Sequence, residues 1–357
     1  MIRTAISAAI IIGCLFMLVW GTKTAKRGEF FEDYFSVPQT QSIKGMCAVF
    51  IFLSHICTYL ADTFTSLFAF KYAGAIMVAG CFFVSGYGLQ YGIMNKKDYL
   101  RGFFAKRMLS IAVPFYIINM FYIVTNNMAT QDILISLTGY NLWFVTAIAV
   151  FYTGFYICGK LFVLRRLPVA MTVFTLLYMI VVNALGYGFW WSNSCLAFAA
   201  GIWMCYGKDT FTEFFKKRYF IKMPLLAVIF ALSYAYYCIH NTDRTLWFFI
   251  LSVINTTSFA VLLAVLSMKI QLKNPILHFI GKMSLEIYLV HALWITWLRK
   301  GFWYNLAPWL FGKDAVYLAG IAAGTVVMSL MVHTVSGFIL KAINRKPHKG
   351  IEKKAEL

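Results

Sequence analysis

The sequence is short of charge. Charged residues fill 13% of its 357 positions, against roughly 25% in soluble domains. Only 13 residues are Asp or Glu. So few ionised side chains cannot clothe a water-exposed surface of this size, which excludes a sizeable soluble domain. CxxC pairs and Cys/His metal-ligand spacings are missing as well. The eight cysteines, at 14, 47, 57, 81, 158, 195, 205 and 238, fall mostly inside apolar runs. They read as small packing residues rather than as a disulfide framework or a metal site. There is no internal repeat of convincing length and no Pro/Ser-rich linker to a second domain.

What is present is apolar. Residues of that class make up 61% of the chain and aromatics 18%, with a mean hydropathy of +0.73. A membrane-crossing helix needs about 20 mostly apolar residues. Eleven runs qualify as spans, near 4–20, 45–61, 72–93, 108–125, 141–159, 167–185, 193–207, 223–239, 245–267, 283–298 and 315–340. Several are short. The fold class expected is therefore all-α, a polytopic transmembrane bundle of about 10–11 helices.

The net charge of +19 does not indicate nucleic acid, because Lys and Arg sit in short clusters between the apolar runs. With the loop 21–44 inside and alternation from there, cytoplasmic segments hold 26 of the 32 basic residues. This lopsided distribution predicts an outside N-terminus and a cytoplasmic C-terminus. The first run lacks a small-x-small cleavage site and carries more positive charge after it than before. It reads as a span rather than a signal peptide. The expected organisation is an extra spanning helix and cytoplasmic linker at 1–44, a membrane domain at 45–340 and a basic cytoplasmic tail at 341–357.

Polar side chains inside spans are costly and are functional candidates by default. Lys44 opens a span, and His55 follows eleven residues later on the same face, about 16 Å deeper. A cation at the cytoplasmic mouth and an imidazole at mid-depth suit an elongated anionic substrate. A snorkelling lysine and a structural histidine are the plainer alternative. Ser284 and His291, seven apart, share a face with Tyr288 nearby, and His291 reaches a depth close to that of His55. Interhelical hydrogen bonding is the plainer reading there. Glu286 lies on a different face, where pairing with a cytoplasmic Lys or Arg is expected. In the stretch FFVSGYGLQYG at 82–92, Ser85, Gly86 and Gly88 permit close backbone approach, and Tyr87 and Tyr91 face the inner half. The basic loop through Arg101, Lys106 and Arg107 could hold phosphates or simply mark the cytoplasmic side. Trp143 opens a span at the outer face, the usual place of an interfacial anchor. His240 and His278 fall in loops, and His333 has no obvious partner.

Taken together, these residues resemble the acyltransferase 3 family of membrane O-acyltransferases. That family carries Arg-x10-His in an early span, and Lys44-x10-His55 keeps the spacing. Phe82–Tyr87 matches its FFxxSGY-like stretch. Arg107, Ser110 and Pro114 match an Arg-x-x-Arg followed by proline. Asn141–Phe144 matches an N/H-LWF opening, and Ser284–His291 a late S-x-x-x-Y-L-x-H. The order agrees over about 36–340. Three departures stand out: Lys44 in place of Arg, Ser110 in place of the second basic residue, and a span before the His-bearing helix.

The resemblance implies a cytoplasmic acyl-CoA donor, commonly acetyl-CoA, with no permanently bound cofactor and no metal. It implies a hydroxyl acceptor on an extracytoplasmic or lipid-linked glycan, at the plasma (inner) membrane, with a separate acceptor protein as another route. On this basis His55 is the expected general base or acyl carrier, with Lys44 and His291 beside it. Lys106 and Arg107 would hold donor phosphates. Ser85, Tyr87, Trp143, Ser284, Glu286 and Tyr288 complete the expected donor and substrate site. A secondary carrier for a glycan or metabolite is the competing class, for which repeats and broken helices would speak.

Overall fold

The computed structural model describes residues 2–59, 68–126, 130–243, 245–300 and 314–344. Most of the 341–357 tail and residues 301–313 lie outside them. The elements, in order, are α1 (Ile2–Val19), β1 (Thr22–Thr24), α2 (Val37–Tyr59), α3 (Phe68–Lys71), α4 (Ala73–Asn95), α5 (Phe103–Asn126), α6 (Thr130–Leu137) and α7 (Trp143–Leu161). They continue with α8 (Leu167–Ala184), α9 (Leu196–Tyr206), α10 (Lys208–Lys216), α11 (Tyr219–Ile239), α12 (Leu246–Ser267), β2 (Ile270–Leu272), α13 (Pro275–Lys282), α14 (Ser284–Lys300) and α15 (Asp314–Asn344). The chain is a multi-pass helical membrane protein.

Each of the eleven expected spans falls on a helix. Among the described residues, eight helices are long and apolar enough to cross a bilayer alone, and a ninth crossing results if α13 and α14, bent by 79°, act as one. The other two fall short on length. The apolar part of α1 is Ser7–Val19, and α9 has 11 residues, about 16 Å of helix against a core of about 30 Å. The chain before α9 fills the gap with irregular backbone, and Ser192, Asn193 and Ser194 within it are buried. Such backbone is tolerated at membrane depth only where protein satisfies it. Here the Ser194 hydroxyl donates to the Ala75 carbonyl and the Thr256 hydroxyl to that of Asn193.

The helix carrying Lys44 starts earlier than the sequence suggests, at Val37 rather than near 45. Pro38 suits a first turn, where its missing N–H is not needed. The polar residues that follow are held by protein, not lipid. The Gln39 amide donates to Ser267 Oγ and the Ile270 carbonyl, and its oxygen accepts the Leu272 N–H. Lys44 therefore sits two turns inside α2 instead of opening it.

Two glycine pairs set the closest helix approaches. A Cβ on Gly86 would collide with the Phe198 carbonyl, and one on Gly201 with that of Phe83, so α4 and α9 meet backbone to backbone. Gly45 and Gly281 lock α2 to α13 in the same way, through the carbonyls of Leu277 and Gln41. Gly88, by contrast, faces open space.

Three of the basic segments meet at one end of the bundle. Strand β1 pairs antiparallel with β2, Thr22 opposite Leu272. Lys269 Nζ donates to the carbonyls of Lys26 and Glu29, and Lys208 Nζ to that of Glu32. Linker 21–36 thus shares its end with the α9–α10 and α12–α13 connections, as the charge pattern requires. The two three-residue strands are a minor addition to an otherwise all-helical fold.

Candidate active site

Helix α2 presents Lys44, Ala48, Ile51 and His55 at spacings of four, three and four, which is one face of a helix. The first three line a cavity of about 130 Å³ enclosed by α2, α4, α5, α7 and α14. Helix α4 contributes Cys81 and Ser85 to it, α7 contributes Phe144, Ile148 and Tyr152, and α14 contributes Ser284 and Tyr288. Four residues singled out from the sequence, Lys44, Ser85, Ser284 and Tyr288, therefore meet in one space. No carboxylate lies within ion-pair distance of Lys44 among the described residues. The bend after Lys282 starts α14 at Ser284, on the cavity wall. The positive end of that helix dipole adds to the field of Lys44. Lys44 and the start of α14 make this space electropositive.

One turn beyond the cavity residues on each helix, His55 and His291 face each other. Their ring centroids are 4.8 Å apart and their planes cross at 70°. Tyr288 connects the pair to the cavity, its ring 5.9 Å from that of His291 and 5.2 Å from that of Phe144. The Tyr288 hydroxyl oxygen approaches the Phe144 N–H, one of the unpaired donors at the start of α7.

The hydrogen bonding of His291 fixes its tautomer. Nδ1 is 3.0 Å from the Ile287 carbonyl, which only accepts, so Nδ1 carries the proton. Nε2 is left as a bare acceptor, buried and without a partner among the described residues. An unsatisfied buried acceptor costs about 1–3 kcal/mol. His55 makes no hydrogen bond among the described residues, while its neighbour Ser54 turns away to the Lys71 carbonyl. Two imidazoles with unused nitrogens thus lie together one turn beyond the cavity that Lys44 lines.

Arg107 stands behind the cavity at the basic end. Its guanidinium lies 5.9 Å from the Phe103 and Tyr152 rings and donates to the Tyr99 hydroxyl at 3.2 Å. Tyr152 in turn lines the cavity together with Ser85. Ser110, where the family motif has a second basic residue, donates to the Arg107 carbonyl.

Other expected residues sit elsewhere. Glu286 is buried but meets His333 of α15, its Oε1 2.8 Å from Nδ1, rather than a cytoplasmic Lys or Arg. Five residues before His291, it faces another side of α14, so His333 does have a partner. Tyr87 packs on Phe35 and Tyr91, and Lys106 is exposed. Trp143 joins Phe82, Phe144 and Trp191 in an aromatic wall at the end away from the basic segments. His278 belongs to α13 rather than to a loop. Sequence reasoning missed Tyr152 and Cys81. The stripe Phe144, Ile148, Tyr152 at four-residue spacing marks the cavity face of α7, but among 21 tyrosines and 34 phenylalanines it does not stand out. Cys81 reads as one more small apolar residue, yet it lines the cavity with its thiol against that of Cys47. Among the described residues, no group of three His, Cys, Asp or Glu could hold a metal ion.

A larger hollow, about 1080 Å³ between α7 and α8, is an open apolar groove with Arg165 and Arg166 on its rim and none of the site residues. Its lining suits lipid.

The family model Acyl_transf_3, described as an acyltransferase domain, matches residues 41–334. No curated protein and no solved structure matches the chain. The matched segment contains Lys44, His55, Ser85, Arg107, Tyr288 and His291. The chain belongs to the acyltransferase 3 family and is a membrane-embedded acyltransferase.

Proposed function

We propose that this acyltransferase moves an acyl group, in the simplest case acetyl, from cytoplasmic acyl-CoA to a hydroxyl on an extracytoplasmic or lipid-linked glycan, at the plasma membrane. The observation that carries the reading is the His55–His291 pair at the inner end of a cavity where, among the described residues, Lys44 is the one charged lining residue. Coenzyme A is polyanionic, and the basic end of the bundle offers Lys44, Arg107, Lys106 and the start of α14. Its long thioester arm suits a narrow cavity that leads from that end to mid-depth.

In this mechanism His55 takes the proton of the acceptor hydroxyl as its oxygen attacks the thioester carbonyl. The bare Nε2 of His291 stabilises the imidazolium that forms beside it. The Tyr288 hydroxyl donates to the developing oxyanion, an arrangement whose loss typically costs 10²–10³ in rate. The C–S bond then breaks, and the departing CoA thiolate takes the proton from His55. The products are the O-acyl ester and free CoA.

The test is thioester cleavage and acyl transfer from radiolabelled acetyl-CoA by the purified full-length protein in nanodiscs. His55→Ala should abolish transfer while the protein still inserts and keeps its melting temperature. Transfer at the parental rate would overturn the mechanism.

A further inference from the structure

A second cavity is stacked on the first along the same seam of α5, α7 and α14. It encloses about 260 Å³ and is one of the more closed hollows in the molecule. Each seam segment passes from one cavity to the next. Ile111 of α5 lines the inner cavity, and Ile118, two turns on, lines the outer. Phe144 lines the inner one and Leu142, just before α7, the outer. On α14, Leu285 lines the inner cavity and Ala292, seven residues later on the same face, lines the outer. That shift is about 10 Å away from the basic end. Ala292 directly follows His291, so the outer cavity lies at and just beyond the depth of the histidine pair.

The two cavities differ in chemistry. Lys44 lines the inner one, whereas none of the described residues around the outer one carries a charge. Its polar surface comes from Asn119, Tyr122, Ser136 and Thr296. Asn119 and Ser136 hold each other, the Asn119 amide donating to the Ser136 carbonyl and the Ser136 hydroxyl to Asn119 Oδ1. Thr296 donates to the Ala292 carbonyl. What remains for a ligand is one amide N–H and the lone pairs of two hydroxyls. Neutral donors and acceptors over apolar walls match an uncharged polyol ring. They do not match a phosphate or carboxylate, whose burial without a cation is costly.

We infer that the outer cavity is the acceptor site and that it takes an uncharged, hydroxyl-rich group such as a neutral hexose unit, the charged parts of any larger acceptor staying outside. The inference rests on the acyl-transfer reading above. Two kinetic constants distinguish them in the full-length protein, with acetyl-CoA as donor and methyl hexosides or glucose 6-phosphate as acceptors. Methyl hexosides should accept acetyl groups at least tenfold more efficiently than glucose 6-phosphate. Ala292→Phe, which fills the cavity, and Thr296→Val, which removes one hydroxyl without adding bulk, should each raise the KM for methyl hexoside. Tenfold or more is expected for Ala292→Phe, with the KM for acetyl-CoA changing less than twofold. Equal use of the charged sugar overturns the inference. So does an acceptor KM within twofold of the parent in both variants, or thioester cleavage that no methyl hexoside alters. A parent protein that cleaves no acetyl-CoA overturns the acyl-transfer reading and this inference together.

Discussion

Helices α4 and α11 look alike as sequence. They run 23 and 21 residues, and both are apolar enough to span a bilayer. In the bundle they are opposites, since 72% of the spanning window of α4 is buried against 11% for α11. Hydropathy therefore finds the membrane but not the protein interior. What separates the two is the small and polar content. Helix α4 carries Gly80, Ser85, Gly86 and Gln90, and it packs against α2, α9 and α12. Helix α11 buries only Tyr219 and Ser233 and turns Leu225, Val228 and Leu232 outward. In lipid, apolar side chains gain nothing by meeting each other, so close contact falls to residues that let backbones approach.

Substitutions along this contrast should sort by side of the bundle. The largest effect belongs to His55→Ala, at least a 100-fold loss of transfer rate, the range for a general base. A loss under tenfold would move the base function elsewhere, with His291 the first candidate. Next comes Gly281→Leu, which forces α13 off the Gln41 carbonyl. Overpacking of this kind costs about 1–3 kcal/mol, and it should appear as a lower melting temperature together with a raised donor KM, because α14 and its cavity wall move with α13. Arg107→Gln should raise the acetyl-CoA KM about tenfold, the worth of one charge-assisted hydrogen bond of about 1.5 kcal/mol. Leu232→Ala on the exposed face of α11 should change stability by no more than about 0.5 kcal/mol and leave both KM values alone. A large effect there would mean that this face is covered by a partner rather than by lipid.

Most of the bundle is legible in the sequence, because a helix is the cheapest way to satisfy backbone polar groups in lipid. The shortfall at α9 is not. The 193–207 run is apolar enough for a span, but its first residues are held by the Ala75 carbonyl of α4 and the Thr256 hydroxyl of α12, and nothing local announces that. The helical repeat brings Lys44 and His55, and likewise Tyr288 and His291, onto common faces, so spacing alone reveals half of the site. Contacts between helices are another matter. Glu286 and His333 are 47 positions apart, and no local pattern connects them. The turn at Met283 is equally hidden. Gly281, two residues earlier, seats α13 on α2, and its partner Gly45 lies far upstream.

The strand pair at the basic end has a consequence for the order of assembly. Thr22–Thr24 leave the ribosome early, yet their partner Ile270–Leu272 is made some 250 residues later. The same connection sends the Asn274 amide to the Met17 carbonyl. Helix α1 can therefore enter the membrane first but cannot dock until α12 is complete. Helix α1 is thus a latch that fastens only once the α12–α13 connection has been made.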